Sequence, residues 1–226
     1  MTDTLRKELD ALWATNHVDK PDDFTAETGT ISVGPPTGSA ASNSALLQEA
    51  INDALIVPQR GGKVRLEPGI WELSVTLTQL EDCLEFGGPN VAAESSRGTV
   101  LKWVGGASPV MRIGSLSGAP YSGSRLHDLS FDNVGTATTA IELAGIYQPT
   151  LERINCRPTV PFSSAGLTIG YLDLTVILAC LRQVFLRESG PIGIKVLRAN
   201  ALDLDDCSAF YHTSGNLVLG DATHPV

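Results

Sequence analysis

Short blocks in which two large apolar residues flank a single residue return along the chain. They are Met111-Arg112-Ile113-Gly114, Ile141-Glu142-Leu143-Ala144, Leu167-Thr168-Ile169-Gly170, Ile194-Lys195-Val196-Leu197 and Leu217-Val218-Leu219-Gly220. The steps between their first residues are 30, 26, 27 and 23. A second series lies between members of the first: Leu126-His127-Asp128-Leu129-Ser130-Phe131, Leu151-Glu152-Arg153-Ile154-Asn155-Cys156, Leu181-Arg182-Gln183-Val184-Phe185-Leu186 and Leu204-Asp205-Asp206-Cys207-Ser208-Ala209, at steps of 25, 30 and 23. Two interleaved strands per unit of about 25 residues, with turns of variable length, is the spacing of a coil whose turns stack on one another. An antiparallel sandwich shows shorter and more regular hairpin spacing, and no Asn-Gly or Asp-Gly pair occurs here. The predicted fold is all-β: a right-handed parallel β-helix, a solenoid in which Leu126, Leu151, Leu181 and Leu204 form one inward ladder. The apolar run LDLTVILACL reads as a coil covered on both faces or as a contact with another subunit.

Upstream of the repeat the pattern is helical. Leu46, Leu47, Ala50, Ile51, Ala54 and Leu55 form one broad apolar stripe, with Asn43 or Ser44 as N-cap and Pro58 as stop. This predicts a capping helix at 44–57. After Arg60-Gly61-Gly62 the period changes to two in KVRLEPGIWELSVTL, around a Pro-Gly turn. Residues 19–44 are rich in turn formers and read as a linker. Ahead of them, Leu5, Leu9, Leu12 and Trp13 share a face at helical spacing, so a short helix is predicted over 2–13, with Asp3 or Thr4 as cap. The expected organisation is an N-terminal arm and linker, 1–42, and a β-helix, 43–226. The arm's apolar stripe is expected to dock on its own domain or on a partner protein. The chain stops soon after a strand, which predicts that it continues beyond Val226 or that another chain covers that end.

Composition removes several function classes. A net charge of −9, with no basic run longer than Arg6-Lys7, argues against a nucleic-acid partner. The start MTDTLRKELDALW has no apolar signal core, and no stretch approaches the ~18 apolar residues of a membrane span. Neither a membrane nor a secretion signal is expected, and the protein is expected to be made in the cytoplasm. Cys83, Cys156, Cys180 and Cys207 have no CxxC spacing, so no zinc or redox site is expected, and all four read as reduced, buried thiols. No phosphate-binding glycine motif occurs, and no cofactor or metal is expected.

Residues 43–104, roughly a quarter of the chain, carry NSALLQEAINDAL, GGKVRLEPGIWEL, LEFGGPN and TVLKW in order. That series resembles the opening of the pectate-lyase-like β-helix superfamily. Asn43-Ser44 stands where the family carries an acidic entry, and Trp71 where tyrosine is common. The resemblance implies the fold, and two function classes within it. The first is a bacteriophage virion structural protein: the attachment part of a tailspike or tail fibre that leads to recognition of a host surface glycan. This class implies a homotrimer held in the virion, on the phage tail, by its N-terminal arm. The alternative is a polysaccharide lyase or glycoside hydrolase acting on an acidic or cell-surface glycan. The first is preferred, because four or five coils at ~4.8 Å make a rod only ~25 Å long, short for a groove holding several sugars.

No catalytic residue is assigned. In Leu202-Asp203-Leu204-Asp205-Asp206, inward leucines would leave Asp203 and Asp205 outward with Cα atoms about 6.5–7 Å apart. That spacing suits a glycosidase pair or a weak calcium site, and suits solvated charge better. Asp128 and Asp132 read as a second acidic patch. His127, His212 and His224 read as surface histidines without carboxylate or serine partners, and Glu152-Arg153 as a surface pair worth little. Trp13, Trp71 and Trp103 could stack on sugars, but Trp71 and Trp103 sit in strand patterns that favour the core.

Overall fold

The computed structural model describes residues 30–36, 38–56, 62–79, 84–89, 98–114, 121–171 and 174–220. The expectations for Leu5, Leu9, Leu12, Trp13, Cys83 and His224 lie outside them. In chain order the first elements are β1 (Thr30–Val33), α1 (Ala40–Ile56), β2 (Lys63–Leu66), β3 (Gly69–Leu73), β4 (Leu77–Gln79), β5 (Glu85–Gly87) and β6 (Thr99–Trp103). Next come β7 (Met111–Gly114), β8 (Tyr121–Ser122), β9 (Arg125–Asn133), β10 (Thr139–Ala144), β11 (Ile146–Tyr147) and β12 (Thr150–Cys156). The last are β13 (Ala165–Ile169), β14 (Ala179–Arg187), β15 (Ile192–Val196), β16 (Leu202–Asp205), β17 (Ser208–Phe210) and β18 (Gly215–Leu219).

The protein is mostly β, with parallel sheets and one helix among the described residues. A ten-stranded sheet runs β1-β2-β5-β9-β12-β14-β16, with β3, β6 and β17 off this path, and a six-stranded sheet runs β18-β15-β13-β10-β7-β4. Every pairing between these named strands is parallel.

The register matches the repeat read from the sequence. Leu126 pairs with Leu151, Leu151 with Leu181, and Leu181 with Leu204. Ile31, Val64 and Phe86 extend the same column upstream. On the six-stranded sheet Leu77, Met111, Ile141, Leu167, Ile194 and Leu217 form another column. A third runs Trp71, Leu101, Phe131, Cys156, Leu186 and Ala209. Side-chain alternation sends these columns to one face, where both large sheets contribute to a single apolar core. Trp71 and Trp103 lie in that core, their indole N–H groups donating to the carbonyls of Glu67 (3.2 Å) and Gly106 (3.0 Å). In β10 and β13 every residue is buried, so both faces of those strands are covered.

Burial in a column fails at the last strands. Leu151 and Leu181 are 1% and 0% exposed, but Leu204 at 40% and Leu217 at 45% have no following strand packed on them among the described residues.

The start is different from what the sequence predicts. Thr30–Val33, within the stretch read as linker, pairs with β2. The helix begins at Ala40 because Ser39 caps it: its Oγ accepts from the Ser42 N–H (3.3 Å) and its carbonyl accepts from Asn43 N–H (2.8 Å). Asn43 and Ser44, expected as caps, instead bind the first strands. Asn43 Nδ2 donates to the Glu72 carbonyl (3.3 Å), and Ser44 Oγ accepts from the N–H groups of Ser74 (3.0 Å) and Val75 (3.2 Å). One turn on, the Gln48 amide donates to the Thr78 carbonyl and accepts from its N–H, both at 2.8 Å. Thr78 lies on β4, an edge strand, and Gln48 takes the place of a neighbouring strand there.

Cysteine burial needs correction. Cys156 is free and buried in an inward column, and burial pushes its thiol pKa up. Cys180 is free and only half-buried, because its register (Thr150 to Cys180 to Asp203) puts it on the outward face. Cys207, also free, is half-buried.

Candidate functional site

The outward face of the ten-stranded sheet carries the densest chemistry. Each long strand bends at one residue in the left-handed region: Asp128 (φ 56°) in β9, Arg153 (φ 51°) in β12 and Gln183 (φ 53°) in β14, with Asp206 (φ 49°) following β16. Before the bend β9 pairs with β5, and after it with β6. The bends fall one above another, since His127 and Leu129 pair with Glu152 and Ile154. Asp128 and Arg153 therefore meet across one strand spacing, with Arg153 Nε and Nη2 2.7 and 2.8 Å from the two carboxylate oxygens.

Around this pair a ring of charge closes. His127 Nδ1 is 2.6 Å from Asp128 Oδ2, and its Nε2 is 3.2 Å from Glu85 Oε1. Arg125 lies 3.8 Å from Glu85 and is hydrogen-bonded to Glu152, which also pairs with Arg153. Lys63 joins from outside at 3.0 Å from Glu85. Asp128 is only 5% exposed, and burial by itself would raise its pKa. Hydrogen bonds from Arg153 and His127 outweigh burial and bring it down to about 2. Glu85 is lowered too, where Lys63 foremost overcomes burial, and Glu152 is lowered chiefly by Arg125.

This arrangement corrects three expectations. His127 has two carboxylate partners, one of them its sequence neighbour. Glu152 and Arg153 are members of a ring that spans several strands. Asp128 and Asp132 form no shared patch: Asp132 Oδ1 accepts from the N–H groups of Asn133 (2.8 Å) and Thr159 (2.6 Å), holding a turn. His212 was also expected to lack a partner. Its Nε2 is 2.9 Å from Ser189 Oγ, and its Nδ1 is 3.0 Å from Asn216 Oδ1. Ser189 is fully buried against Gly166 and ties the β14–β15 turn to the β17–β18 turn. The partners stand 23 residues apart and belong to successive repeats; aligning the repeats is the one signal in the sequence that could have found them.

Asp203 and Asp205 are both exposed on β16, as expected. Asp203 Oδ2 lies 3.8 Å from Cys180 Sγ, and Asp205 pairs in register with Arg182. Among the described residues no group of three or more His, Cys, Asp or Glu is placed to hold a metal ion. No described helix is long and apolar enough to cross a membrane.

No protein-family model and no curated relative matches the chain. Among solved structures it is similar to ORF18 of Geobacillus virus E2, at 14% identity and a TM-score of 0.47. The match covers 96% of this chain and 42% of that one. The chain thus spans less than half the length of the protein it matches.

Proposed function

We propose that this chain is a structural protein of a bacteriophage virion, the attachment part of a tailspike or tail fibre, with its strands wound as a right-handed parallel β-helix. The winding is supported by register columns that follow the 23- to 30-residue repeat strand after strand. Residues 1–42, as an arm that includes β1, would hold the particle, and a homotrimer is the expected assembly.

The observation that carries the structural role over the enzymatic one is the state of the three carboxylates in the charge ring, Asp128, Glu85 and Glu152. A general acid must hold its proton near neutral pH. Asp128, with a pKa of about 2, cannot, and Glu85 and Glu152 are shifted the same way. All three are bound to basic partners as fixed parts of the wall. The second reading, a glycoside hydrolase or polysaccharide lyase, is favoured by Asp203 and Asp205 exposed on one strand. Incubating the purified chain with bacterial surface polysaccharides separates the two. The structural role predicts no new reducing ends and no unsaturated products. Cleavage that is lost in both Asp203→Asn and Asp205→Asn would establish the enzyme instead.

A further inference from the structure

Outward charges in this protein follow a rule: neighbours in register carry opposite signs. Lys63 faces Glu85, Glu85 faces Arg125, Glu72 faces Lys102, Lys102 faces Asp132, and Arg112 faces Glu142. Like charges directly opposite on neighbouring strands are destabilising, so the rule is expected. Among the described residues one place departs from it. Cys156 pairs with Leu186, and the residues that follow them, Arg157 and Arg187, are both cations. Arg157 is exposed and has no ion pair among the described residues. Arg187 has only Glu188, 4.0 Å from its Nε, and that nitrogen is shielded from solvent without a hydrogen-bond acceptor among the described residues.

Beside the two arginines stands an aromatic platform. Phe210 pairs in register with Arg187, on the outward face and not in the core. The Arg187 guanidinium lies 5.9 Å from the Phe210 ring centroid and 5.4 Å from that of Tyr211. The two rings meet edge to face at 5.4 Å. Tyr211 is 69% exposed, although its ring is fixed by Phe210 and Arg187. Its backbone is left-handed (φ 64°), as is that of Glu188 beside Arg187 (φ 51°).

We propose that Arg157, Arg187, Phe210 and Tyr211 form a binding site for an acidic saccharide. A sugar ring stacks on Tyr211, and a carboxylate or phosphate on that sugar is held between the two guanidinium groups. Planar guanidinium groups suit an oxyanion, and an exposed, fixed aromatic face suits the C–H face of a sugar. The choice of a saccharide over another ring-bearing anion rests on the tailspike or tail-fibre reading proposed above.

The test is calorimetric titration of the full chain with a glucuronate-containing tetrasaccharide, its carboxyl-reduced neutral counterpart, and inorganic phosphate. The acidic sugar is expected to bind at least tenfold more tightly than the neutral one and than phosphate. Arg187→Gln and Arg157→Gln, the latter at an exposed position, should each bring the acidic sugar towards the neutral level. Tyr211→Ala should weaken both sugars, while Tyr211→Phe keeps them. No binding, equal binding of the acidic and neutral sugars, or indifference to Tyr211→Ala overturns the site. Phosphate binding as tight as the acidic sugar's overturns the saccharide. None of these results touches the structural role, which is read separately from the assembly mass.

Discussion

At Asp128 a single carboxylate joins neighbouring strands, and its energetics give a pH signature. Its folded pKa of about 2 lies below the ordinary 3.8, so its contribution to stability is fully present above pH 3.8. As pH falls through 3.8 towards 2, the folded form resists protonation while the unfolded form accepts it, and the contribution is lost. The shift corresponds to roughly 2 kcal/mol. Asp128→Asn should therefore cost about that much at pH 7, and its urea midpoint should fall less steeply than the parent's between pH 4 and 2. Equal slopes would show that the Arg153 pair contributes nothing. Gln183 occupies the equivalent bend one strand on, exposed and in the left-handed region, with no side-chain hydrogen bond among the described residues. Glycine adopts that conformation without steric cost, so Gln183→Gly should raise stability by about 0.5–1 kcal/mol, against the usual penalty for glycine in a strand. A lowered midpoint would contradict the bend as the source of strain.

Columns make the elements cooperate, and they allow one substitution to be compared at two levels of cover. Leu151 and Leu204 occupy the same inward column, at 1% and 40% exposure. Leu151→Ala should cost about 2–5 kcal/mol, as truncations in a closed core do, and Leu204→Ala less than half as much. Denaturant titration of the two variants, below the concentration at which the chain assembles, checks the difference, and equal losses there would contradict the exposure of the last strands. These columns were legible in the sequence because period two and a repeat near 25 residues are carried by large apolar side chains such as Met111, Ile141, Leu167 and Ile194. The charge ring was not. Glu85, Arg125 and Glu152 are distant in sequence, and they meet only after the register between strands is set. The helix start was misplaced for a local reason: Ser39, Asn43 and Ser44 are all good caps by residue type. Only the contacts of Asn43 and Ser44 with β3 and the residues after it leave Ser39 as the cap.

For the whole molecule, the start and the last described strands differ in how their edges are finished. At the start, β1 covers β2 and the Gln48 amide completes the edge of β4. At β16 to β18, Leu204, Leu217 and Leu219 are 40%, 45% and 62% exposed. Apolar surface of this kind favours association by about 25 cal/mol per Å² buried, and unpaired strand groups favour it further. A structural protein of a virion is expected to work as an assembly, and a free glycan-cleaving enzyme needs none. Sedimentation equilibrium of the purified chain at micromolar concentration tests this most directly. The account predicts a single species of three times 23.9 kDa. A stable, soluble monomer of 23.9 kDa across the same concentration range would contradict it.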